Sequence, residues 1–446
     1  MKLITIVLCK LLSFVGRLIG KGTSLPGKVA LKLCPNILSR LCLPEHIIAV
    51  TGSNGKTSTV EMIARVLTEG GKKVVWNKEG SNQIEGVATL LLCSATLSGK
   101  VRGDILLLES DERFARLTFR YVKPTVLIIT NLYRDQLTRN GHPYRIYDYL
   151  KMAVDLIPDA RLVLNGDDPI VRRFGLERES TLYFGMDENS LSGAISDALF
   201  NDCHYCPCCK QELHYDYFHY THLGGYHCES CGYSKPETAY TVTDMDLEKE
   251  TITINGNAIA LEFASKYNVY NLCAAYAAAD LVGMDGSHTA AVLSDFVMKN
   301  GRVVRFEAGP NQGLLITSKH ENSTSYNQSL GYICSKKEPF DLVILVDAIS
   351  RKYYTAETSW LWDISFEMLK DAPTDRIILT GKYAYDLGLR FSLTGIEDSR
   401  IIVEPDLDKM GQLIAQPTEH KLYAVTCFSD KEKLFDRVKV TGPVAK

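Results

Sequence analysis

The feature that most limits the possible fold is a glycine loop between an apolar strand and a helix. Residues 47–50 are all apolar and predict a buried strand, the next eight read TGSNGKTS, and helical spacing begins at Thr59. This order aims backbone N–H groups and the positive end of a helix at one point, which suits a polyphosphate. We expect Lys56 to reach the β- and γ-phosphates and the Thr57 hydroxyl to hold Mg²⁺. The nucleotide-binding residues of the loop are then Gly52, Ser53, Asn54, Gly55, Lys56, Thr57 and Ser58.

The loop is two residues shorter between its glycines than the common phosphate-loop pattern. Its bare form, GxxGKT, also arises by chance, so an ordinary strand-to-helix turn with an exposed lysine is the alternative. The correct order of strand, loop and helix favours an ATP-binding chain.

Size, charge and cysteine placement narrow the class of protein. A chain of 446 residues that is 46% hydrophobic predicts two or three domains with full cores. The net charge of -3 gives no support for broad nucleic-acid binding. Six of the 13 cysteines lie between Cys203 and Cys231, which indicates a metal site and buried thiols in a reducing, cytoplasmic compartment.

The first 20 residues resemble a signal peptide, but Lys10 and Arg17 interrupt the apolar run and no small-residue cleavage site follows. We interpret the segment as an amphipathic helix that either packs on the protein or lies on the inner face of a membrane. No apolar run reaches the roughly 20 residues of a membrane span. The expected apolar face consists of Leu3, Ile6, Val7, Leu11, Phe14, Val15 and Ile19.

From residue 47 to about 190, continuous apolar strands alternate with helical stretches, which predicts a parallel sheet covered on both faces. Ligands of such sheets bind beyond the carboxyl ends of the strands. Glu109 ends one strand, Asn131 and Asp135 follow another, and residues 165–168 (NGDD) follow a third. A single carboxylate there is usually a loop or cap residue, but beside a phosphate loop we expect Glu109 to act in catalysis as a second Mg²⁺ ligand.

Residues from about 200 to 236 interrupt this alternation. Two CxxC pairs, Cys206 with Cys209 and Cys228 with Cys231, are separated by 18 residues. This spacing predicts a structural zinc ribbon with four thiolate ligands and no open coordination position. Coincidental thiols or disulfides are the alternative, and the spare Cys203 and Cys208 leave room for a shift of the ligand set.

The rest of the chain predicts a second unit. Residues 300–302 have the composition of a hinge, and strand and helix alternate again to the end. We therefore expect an amphipathic segment at 1–46 and a central ATP-binding domain at 47–299 that carries the insertion. A smaller, Rossmann-like α/β domain is expected at 300–446.

Together these residues resemble the Mur ligase family, which joins amines to carboxylates at the expense of ATP. The matching features, in order, are TGSNGKTST, Thr130-Asn131 to Asp135, NGDD at 165–168, and NVYN at 268–271 with Gly301-Arg302. Within that family the chain is similar to MurT-type subunits. The resemblance rests on the zinc-ribbon insertion, GTSLPG at 22–27, TSWLWD at 358–363, and the short segment of about 46 residues before the phosphate loop.

The resemblance implies a carbon–nitrogen ligase of peptidoglycan synthesis, with a Mur-ligase-like central domain. It would phosphorylate the α-carboxyl of D-glutamate in the stem peptide of lipid II. A GatD-type glutaminase, paired with it as a heterodimer, would supply ammonia to give D-isoglutamine. Two alternatives stay open: a self-sufficient ligase that adds an amino acid, as folylpolyglutamate synthase does, and a nucleotide-binding scaffold without activity.

The resemblance also implies roles for residues outside the loop. Asn271 would contact the adenine and Arg302 the phosphates, although a helix cap and a surface charge are the simpler interpretations. Asn82, Asn131 and Asn268 would also face the nucleotide.

An acid of the last domain would orient the catalytic histidine of the glutaminase and complete a triad across the interface. Asp363 is the candidate, and Glu357 occupies a second acid position of the motif. Trp360 and Trp362 would suit an exposed interface anchor. Two further positions bear on the metal site. Gln136 stands where Mur ligases commonly have a histidine after the aspartate. Lys151 lies at about the position, before the next strand, where many Mur ligases have a carbamylated lysine.

Overall fold

The computed structural model describes residues 1–18, 23–78, 81–190, 192–246, 249–261, 266–296, 303–348 and 357–443. The chain divides into two compact units. The first unit comprises Met1–Tyr133, His142–Ile195 and Asp202–Phe296. The second unit comprises Arg134–Gly141, Ser196–Asn201 and Val297–Lys446.

The first unit is built on a nine-stranded sheet with the strand order β11-β10-β9-β6-β5-β4-β1-β3-β2. Its strands are β1 (His46–Thr51), β2 (Val74–Trp76), β3 (Ile105–Glu109), β4 (Val126–Ile129), β5 (Arg161–Asn165), β6 (Thr181–Met186), β9 (Tyr240–Asp246), β10 (Thr251–Ile254) and β11 (Asn257–Ala260). Strands β1 to β6 pair in parallel and β9 is parallel to β6, whereas β10 is antiparallel to both β9 and β11. The sheet is therefore mixed. The parallel pairing predicted from residue 47 to about 190 is confirmed for β1 to β6. The antiparallel strands β10 and β11 lie beyond that region, where the short connections form hairpins.

Apart from the exposed first residues of β1 and β5, the central strands are buried, as their continuous apolar sequences predict. In β1, Ala49 lies opposite Leu108 of β3 and Leu127 of β4, and all three side chains are buried. Helices cover the sheet: α1 (Lys2–Leu18), α2 (Leu25–Leu33), α3 (Lys56–Glu69), α4 (Ile84–Ser94), α5 (Ala115–Thr118), α7 (Pro143–Val154), α8 (Pro169–Arg172), α9 (Lys266–Asp280) and α10 (Gly286–Ser294). Helix α6 (Leu137–Asn140) belongs to the second unit.

Helix α1 packs mainly through residues outside its expected apolar face, of which Ile6 is buried. Thr5, Ile6, Cys9 and Ser13 are buried, and α1 contacts α2 and α4. Most of the larger apolar side chains point away from this contact and are exposed, whereas Ile19 lies outside the described residues. Small side chains let helices approach closely, which explains why this face is the packed one. Among the described residues, no helix is long and apolar enough to cross a membrane.

The insertion contains a hairpin of β7 (His214–Tyr220) and β8 (Leu223–His227), which forms a separate two-stranded antiparallel sheet. Two tyrosines of the insertion tie it to the loop after β5. Tyr226 Oη donates to Gly166 O at 3.0 Å, and Tyr233 Oη donates to Pro169 O at 2.5 Å. The insertion is thus held to the sheet by buried polar contacts as well as by its own fold.

The second unit has a seven-stranded mixed sheet with the order β16-β15-β14-β17-β13-β12-β18. Its strands are β12 (Val303–Ala308), β13 (Asn311–Ser318), β14 (Phe340–Leu345), β15 (Thr374–Thr380), β16 (Ile401–Glu404), β17 (Lys421–Cys427) and β18 (Lys439–Pro443). Its other helices are α11 (Ser323–Cys334), α12 (Ala384–Phe391), α13 (Leu407–Ile414) and α14 (Lys431–Phe435). Short 3₁₀ helices lie at Leu38–Arg40, Arg173–Gly175, Ser359–Asp363, Phe366–Leu369 and Asp398–Arg400.

The two tryptophans expected at an interface differ in burial. Trp360 is buried in the core of the second unit, where its ring packs on Tyr326. Trp362 is 41% exposed. The expected exposure of Trp360 is therefore wrong, because its large apolar ring fills the core beneath α11.

Candidate functional site

The glycine loop follows β1 and leads directly into α3, at the carboxyl edge of the first sheet. Gly52 and Gly55 have φ angles of +132° and +86°, in the region that favours glycine. A Cβ atom on Gly52 would collide with Thr130, and one on Gly55 would collide with the side-chain oxygen of Asn271. The loop therefore needs glycine at both positions and forms a cradle lined by backbone.

The loop after β4 braces this cradle. Asn131 accepts from Asn54 N through its side chain at 2.9 Å and from Ser53 N through its carbonyl at 2.8 Å. Thr130 Oγ1 donates to Asn54 O at 2.7 Å. The structure thus places Asn131 against the loop, where it fixes the loop's shape.

Lys56 lies at the first turn of α3 and its side chain is mostly buried. Its ammonium is 3.0 Å from Glu112 Oε2 and also donates to the carbonyl of Gly52. Glu112, which the sequence argument did not select, is itself buried. A lysine held at the mouth of the loop by a carboxylate is positioned to exchange that partner for phosphate oxygens. The sequence feature that could have indicated Glu112 is its position three residues after the end of β3.

Thr57 and Glu109 come together, as the magnesium hypothesis requires. Thr57 Oγ1 donates to Glu109 Oε2 at 2.9 Å, and Asn82 Nδ2 donates to Glu109 Oε1 at 3.1 Å. Neighbouring oxygen ligands of an octahedral Mg²⁺, with bonds of about 2.0–2.1 Å, lie roughly 2.9 Å apart. The oxygen donors and their separation therefore fit Mg²⁺ held by Thr57 and Glu109.

Asn77 holds Glu109 in place through two backbone hydrogen bonds. Glu109 N donates to Asn77 Oδ1 at 2.8 Å, and Asn77 Nδ2 donates to Glu109 O at 2.9 Å. The sequence argument missed Asn77. The sequence feature that could have indicated Asn77 is its position as a polar residue directly after β2. Because β2 is the neighbour of β3, the ends of the two strands lie side by side.

Helix α9 brings two asparagines to the same region. Asn271 is buried beside Gly55, and its Oδ1 lies 3.4 Å from Thr59 Oγ1. Asn268 is also buried, and its Oδ1 accepts no hydrogen bond within the part of the chain that the structure describes. A buried carbonyl oxygen without a donor is costly, so a ligand donor there would be favourable. Arg302, the expected phosphate contact, lies outside the described residues.

The acidic loop after β5 is used for structure. Asp168 caps α8, with Oδ1 accepting from Ile170 N at 2.8 Å and from Val171 N at 3.1 Å. Asp167 is completely buried and its Oδ1 lies 2.8 Å from the ammonium of Lys235. Burial lowers the pKa of Lys235, but the charge of Asp167 outweighs this and raises that pKa overall. These carboxylates hold the insertion in place, so the cap interpretation applies to Asp168.

The four cysteines of the two CxxC pairs meet at one point. Their sulfurs all lie within 4.8 Å of one another. Cys206 Sγ is 3.6 Å from Cys231 Sγ, and Cys209 Sγ is 3.5 Å from Cys228 Sγ. The structure does not bring Cys208 into this group, and Cys203 instead lies 3.8 Å from the hydroxyl of Tyr144.

The two CxxC turns have the same backbone geometry. Cys206 N donates to Gln211 O and Cys228 N donates to Tyr233 O, both at 2.7 Å. The residue after each second cysteine is left-handed, Lys210 at φ 67° and Gly232 at φ 72°. Burial raises the pKa of Cys228, but hydrogen bonds from the Cys231 backbone, the Cys209 side chain and the Ser230 backbone together lower it to about 7. The donor set and its symmetry fit a tetrahedral Zn²⁺.

The second unit contains the remaining acids of interest. Asp135 is buried and pairs with Lys319, and Asn322 Nδ2 donates to it at 2.9 Å. Gln136, in the following position, has a left-handed φ of 48°. In the first unit, Lys151 pairs with Asp155 Oδ1 at 2.5 Å on the surface of α7.

The two candidate triad acids differ in environment. Asp363 Oδ1 lies 3.4 Å from Arg134 Nη1, and only 13% of the Asp363 side chain is exposed. Glu357 is exposed, and hydrogen bonds from Ser359 lower its pKa. Asp363 is therefore the more buried of the two. Glu357 lies just before the 3₁₀ helix that ends at Asp363, where its Oε1 accepts from Ser359 N at 2.9 Å.

The chain matches two known protein families. The family described as "Mur ligase middle domain" matches residues 50–207, which include the glycine loop. The family described as "MurT ligase C-terminal" matches residues 320–430 in the second unit.

Whole-length relatives carry the same description. The chain is 31% identical over 402 residues to the lipid II isoglutaminyl synthase (glutamine-hydrolyzing) subunit MurT of Streptococcus pneumoniae, a match that covers 89% of this chain and 88% of the relative. It is 29% identical to the same subunit of Staphylococcus aureus strain COL, with 90% of each chain covered. Among solved structures, pseudomurein peptide ligase type C from Methanothermus fervidus superposes with a TM-score of 0.68 at 20% identity, covering 90% of this chain and 80% of that one. The chain belongs to the MurT subunits of lipid II isoglutaminyl synthase, a branch of the Mur ligase family.

Proposed function

We propose that this chain is the ATP-using subunit of a lipid II isoglutaminyl synthase and that it activates the α-carboxyl of D-glutamate in the stem peptide for amidation. The carrying observation is the arrangement of Lys56, Thr57 and Glu109 around a glycine cradle, in a chain whose whole-length relatives bear that name. Membership of the Mur ligase family implies the use of ATP and Mg²⁺.

The chemistry of amidation explains why this site needs a phosphate loop. A carboxylate is a poor electrophile, so one of its oxygens first attacks the γ-phosphorus of ATP and ADP leaves. Ammonia then attacks the carbonyl carbon of the acyl phosphate, and phosphate departs with the C–O electron pair while a proton is released. Lys56 and the loop N–H groups stabilise charge on the transferring phosphoryl group, and Mg²⁺ on Thr57 and Glu109 would neutralise more of it.

An assay with free ammonia separates this function from an amino-acid ligase. The wild-type chain, purified alone and incubated with ATP, Mg²⁺ and lipid II, should form amidated lipid II when ammonium is added. Free ammonia replaces the ammonia that the partner would supply. Addition of single amino acids should give no mass increase beyond the amide. Coupling of an amino acid, read by mass spectrometry, would favour the self-sufficient ligase.

We further propose that the four-cysteine cluster holds one structural Zn²⁺. The support is the sulfur geometry and the matching pair of turns, with a closed donor set that leaves no position for substrate. An insertion this small has little core of its own, so a metal would supply part of its stability.

A glutaminase partner of the GatD type is proposed to dock on the second unit beside Asp363. The relatives are described as subunits of a glutamine-hydrolysing enzyme, which supports a partner. Large side chains at helical spacing on and just after α12 are exposed: Tyr385 by 71%, Leu389 by 61% and Leu393 by 65%. Thr358 Oγ1 donates to Asp386 Oδ1 at 3.2 Å, so this stripe adjoins the 3₁₀ turn that carries Trp362 and Asp363. An exposed tyrosine next to the candidate acid is typical of an interface anchor, and the two leucines extend it into an exposed apolar patch.

The outer face of α1 is proposed to lie on an anionic membrane surface, where a lipid-linked substrate resides. Six large apolar side chains of this face are about half exposed or more: Leu3 (52%), Ile4 (62%), Val7 (47%), Leu11 (58%), Phe14 (67%) and Val15 (48%). The first 44 residues contain seven basic side chains and no acidic one, although the whole chain has a net charge of -3. An apolar stripe flanked by basic charge alone is complementary to anionic lipid headgroups.

Vesicle flotation tests this surface. Leu11→Ser with Phe14→Ser should weaken binding to phosphatidylserine-containing vesicles by about tenfold or more. The reason is that two apolar side chains that enter the membrane in this proposal are lost. The matched control is Leu389→Ser with Leu393→Ser, which removes equally exposed apolar side chains from the second unit and should leave flotation unchanged. Equal binding by the α1 variant and wild type would overturn the membrane proposal without affecting the proposed reaction.

A further inference from the structure

A second group of metal-ligand residues lies in the second unit, at the edge of the sheet formed by the amino ends of three neighbouring parallel strands. Asp341 lies near the start of β14, Asp375 near the start of β15, and His420 directly precedes β17. These strands are adjacent in the order β15-β14-β17. Three chain segments that are far apart in sequence thus bring two carboxylates and an imidazole together.

The separations between these side chains do not suit hydrogen bonds. His420 Nδ1 is 3.6 Å from Asp341 Oδ1 and 3.6 Å from Asp375 Oδ2. Both distances exceed the usual limit for an N–H···O bond. Two ligands of a tetrahedral divalent ion with bonds of about 2.0–2.1 Å are roughly 3.4 Å apart, close to the observed separations.

The burial of Asp341 supports a metal site independently of these distances. Its side chain is completely buried, and its Oδ1 has no hydrogen-bond partner among the described residues. The other oxygen, Oδ2, accepts from Arg376 Nη2. The Nδ1 atom of His420 is also buried without a hydrogen-bond partner within the same described part of the chain. A buried carboxylate oxygen and a buried imidazole nitrogen that face each other without a donor between them are costly unless something binds both.

The hydrogen bond from Arg376 to Asp341 is the kind of contact that orients a metal ligand. Carboxylates that bind metals are usually held by a further hydrogen bond that fixes their orientation, and Arg376 supplies one here. Asp375 and His420 are partly exposed, with 56% and 30% of their side chains accessible, so an ion could enter from solvent and keep water ligands. One nitrogen and two oxygen donors favour borderline divalent ions such as Zn²⁺, Co²⁺ or Mn²⁺ over Ca²⁺.

We propose that Asp341, Asp375 and His420 form a second metal site, specific for a divalent transition ion and separate from the four-cysteine cluster. By joining the starts of β14, β15 and β17, the ion would stabilise the folded second unit in proportion to its occupancy. The site lies at the amino edge of its sheet and does not depend on the proposed function.

Cobalt distinguishes the two metal sites. The full chain, purified with zinc in its cysteine cluster, is titrated with Co²⁺ and its bound metals are counted by mass spectrometry after dialysis. We expect about one cobalt in addition to one zinc per chain, with the visible d–d absorption of a nitrogen- and oxygen-ligated cobalt and no sulfur-to-cobalt charge-transfer band. His420→Asn and Asp375→Asn should each weaken this cobalt binding at least tenfold, whereas the exposed controls His46→Asn and Asp398→Asn should not.

Two results would overturn the proposal. One is the absence of any cobalt beyond the cysteine cluster, which would mean that His420 and the two carboxylates are neighbours that bind no metal. The other is unchanged cobalt binding in both His420→Asn and Asp375→Asn. Because both substitutions are at partly exposed positions, circular dichroism of the metal-free variants should match wild type and exclude misfolding.

Discussion

Lys56→Ala should lower the rate of ATP-dependent amidation by about 10³-fold, because a cation that stabilises the transferring phosphoryl group is lost. The measurement is ammonia-driven formation of amidated lipid II, which needs no partner. Nucleotide binding should weaken much less than the rate, since the backbone cradle of Gly52 and Gly55 remains. The loss should therefore appear mainly in kcat.

The control for this prediction must account for Glu112. Lys56 is 3.0 Å from this buried carboxylate, so its removal alone leaves a buried charge short of a partner and could destabilise the loop. The double variant Lys56→Met with Glu112→Gln removes both charges and should melt close to wild type while remaining inactive. Lys100→Ala, an exposed lysine of the same unit, should keep full activity. Amidation within about tenfold of wild type in both Lys56 variants would contradict the proposed reaction.

Asp363→Asn should lower glutamine-driven amidation by about 10²-fold or more while ammonia-driven amidation stays near wild type. The reason is that an acid that orients a catalytic histidine acts on glutamine hydrolysis and not on phosphoryl transfer. The substitution keeps the side chain's shape and removes its charge. The measurement compares the two nitrogen sources in the complex of this chain with its glutaminase.

Glu357→Gln is the matched variant for that experiment, since it removes the second candidate acid from the same segment. If Glu357→Gln selectively lowers glutamine use and Asp363→Asn does not, the roles of the two acids are reversed. An equal fall of both reactions in Asp363→Asn would show that this residue, paired with Arg134, only supports the fold.

Most of the strands could be predicted because each is a continuous apolar run between polar turns. The parallel pairing predicted between residues 47 and 190 is confirmed, whereas the short alternating strands β9 to β11 did not reveal their direction of pairing. The sequence left open whether the apolar face of α1 packs on the protein or lies on a membrane. Both faces of that helix carry apolar residues, and periodicity alone does not distinguish the face that fits α2 and α4 from the one left exposed.

Within the site, the residues adjacent in sequence were the predictable ones. The loop from Gly52 to Ser58 and the two CxxC pairs follow from local spacing. Asn77 and Glu112 were missed because each acts on a residue more than 30 positions away, Asn77 on Glu109 and Glu112 on Lys56.

The sequence by itself determined the glycine loop and the two CxxC pairs, because short-range spacing and glycine conformation define both. The tertiary structure decided which carboxylates face the glycine loop and which hold the fold. Glu109 faces Thr57, whereas Asp167 faces Lys235 and Asp168 caps a helix, although all three follow strands of one sheet. The physical reason is that a carboxylate's role depends on the charge and donors around it, and strand order brings those neighbours from distant parts of the chain.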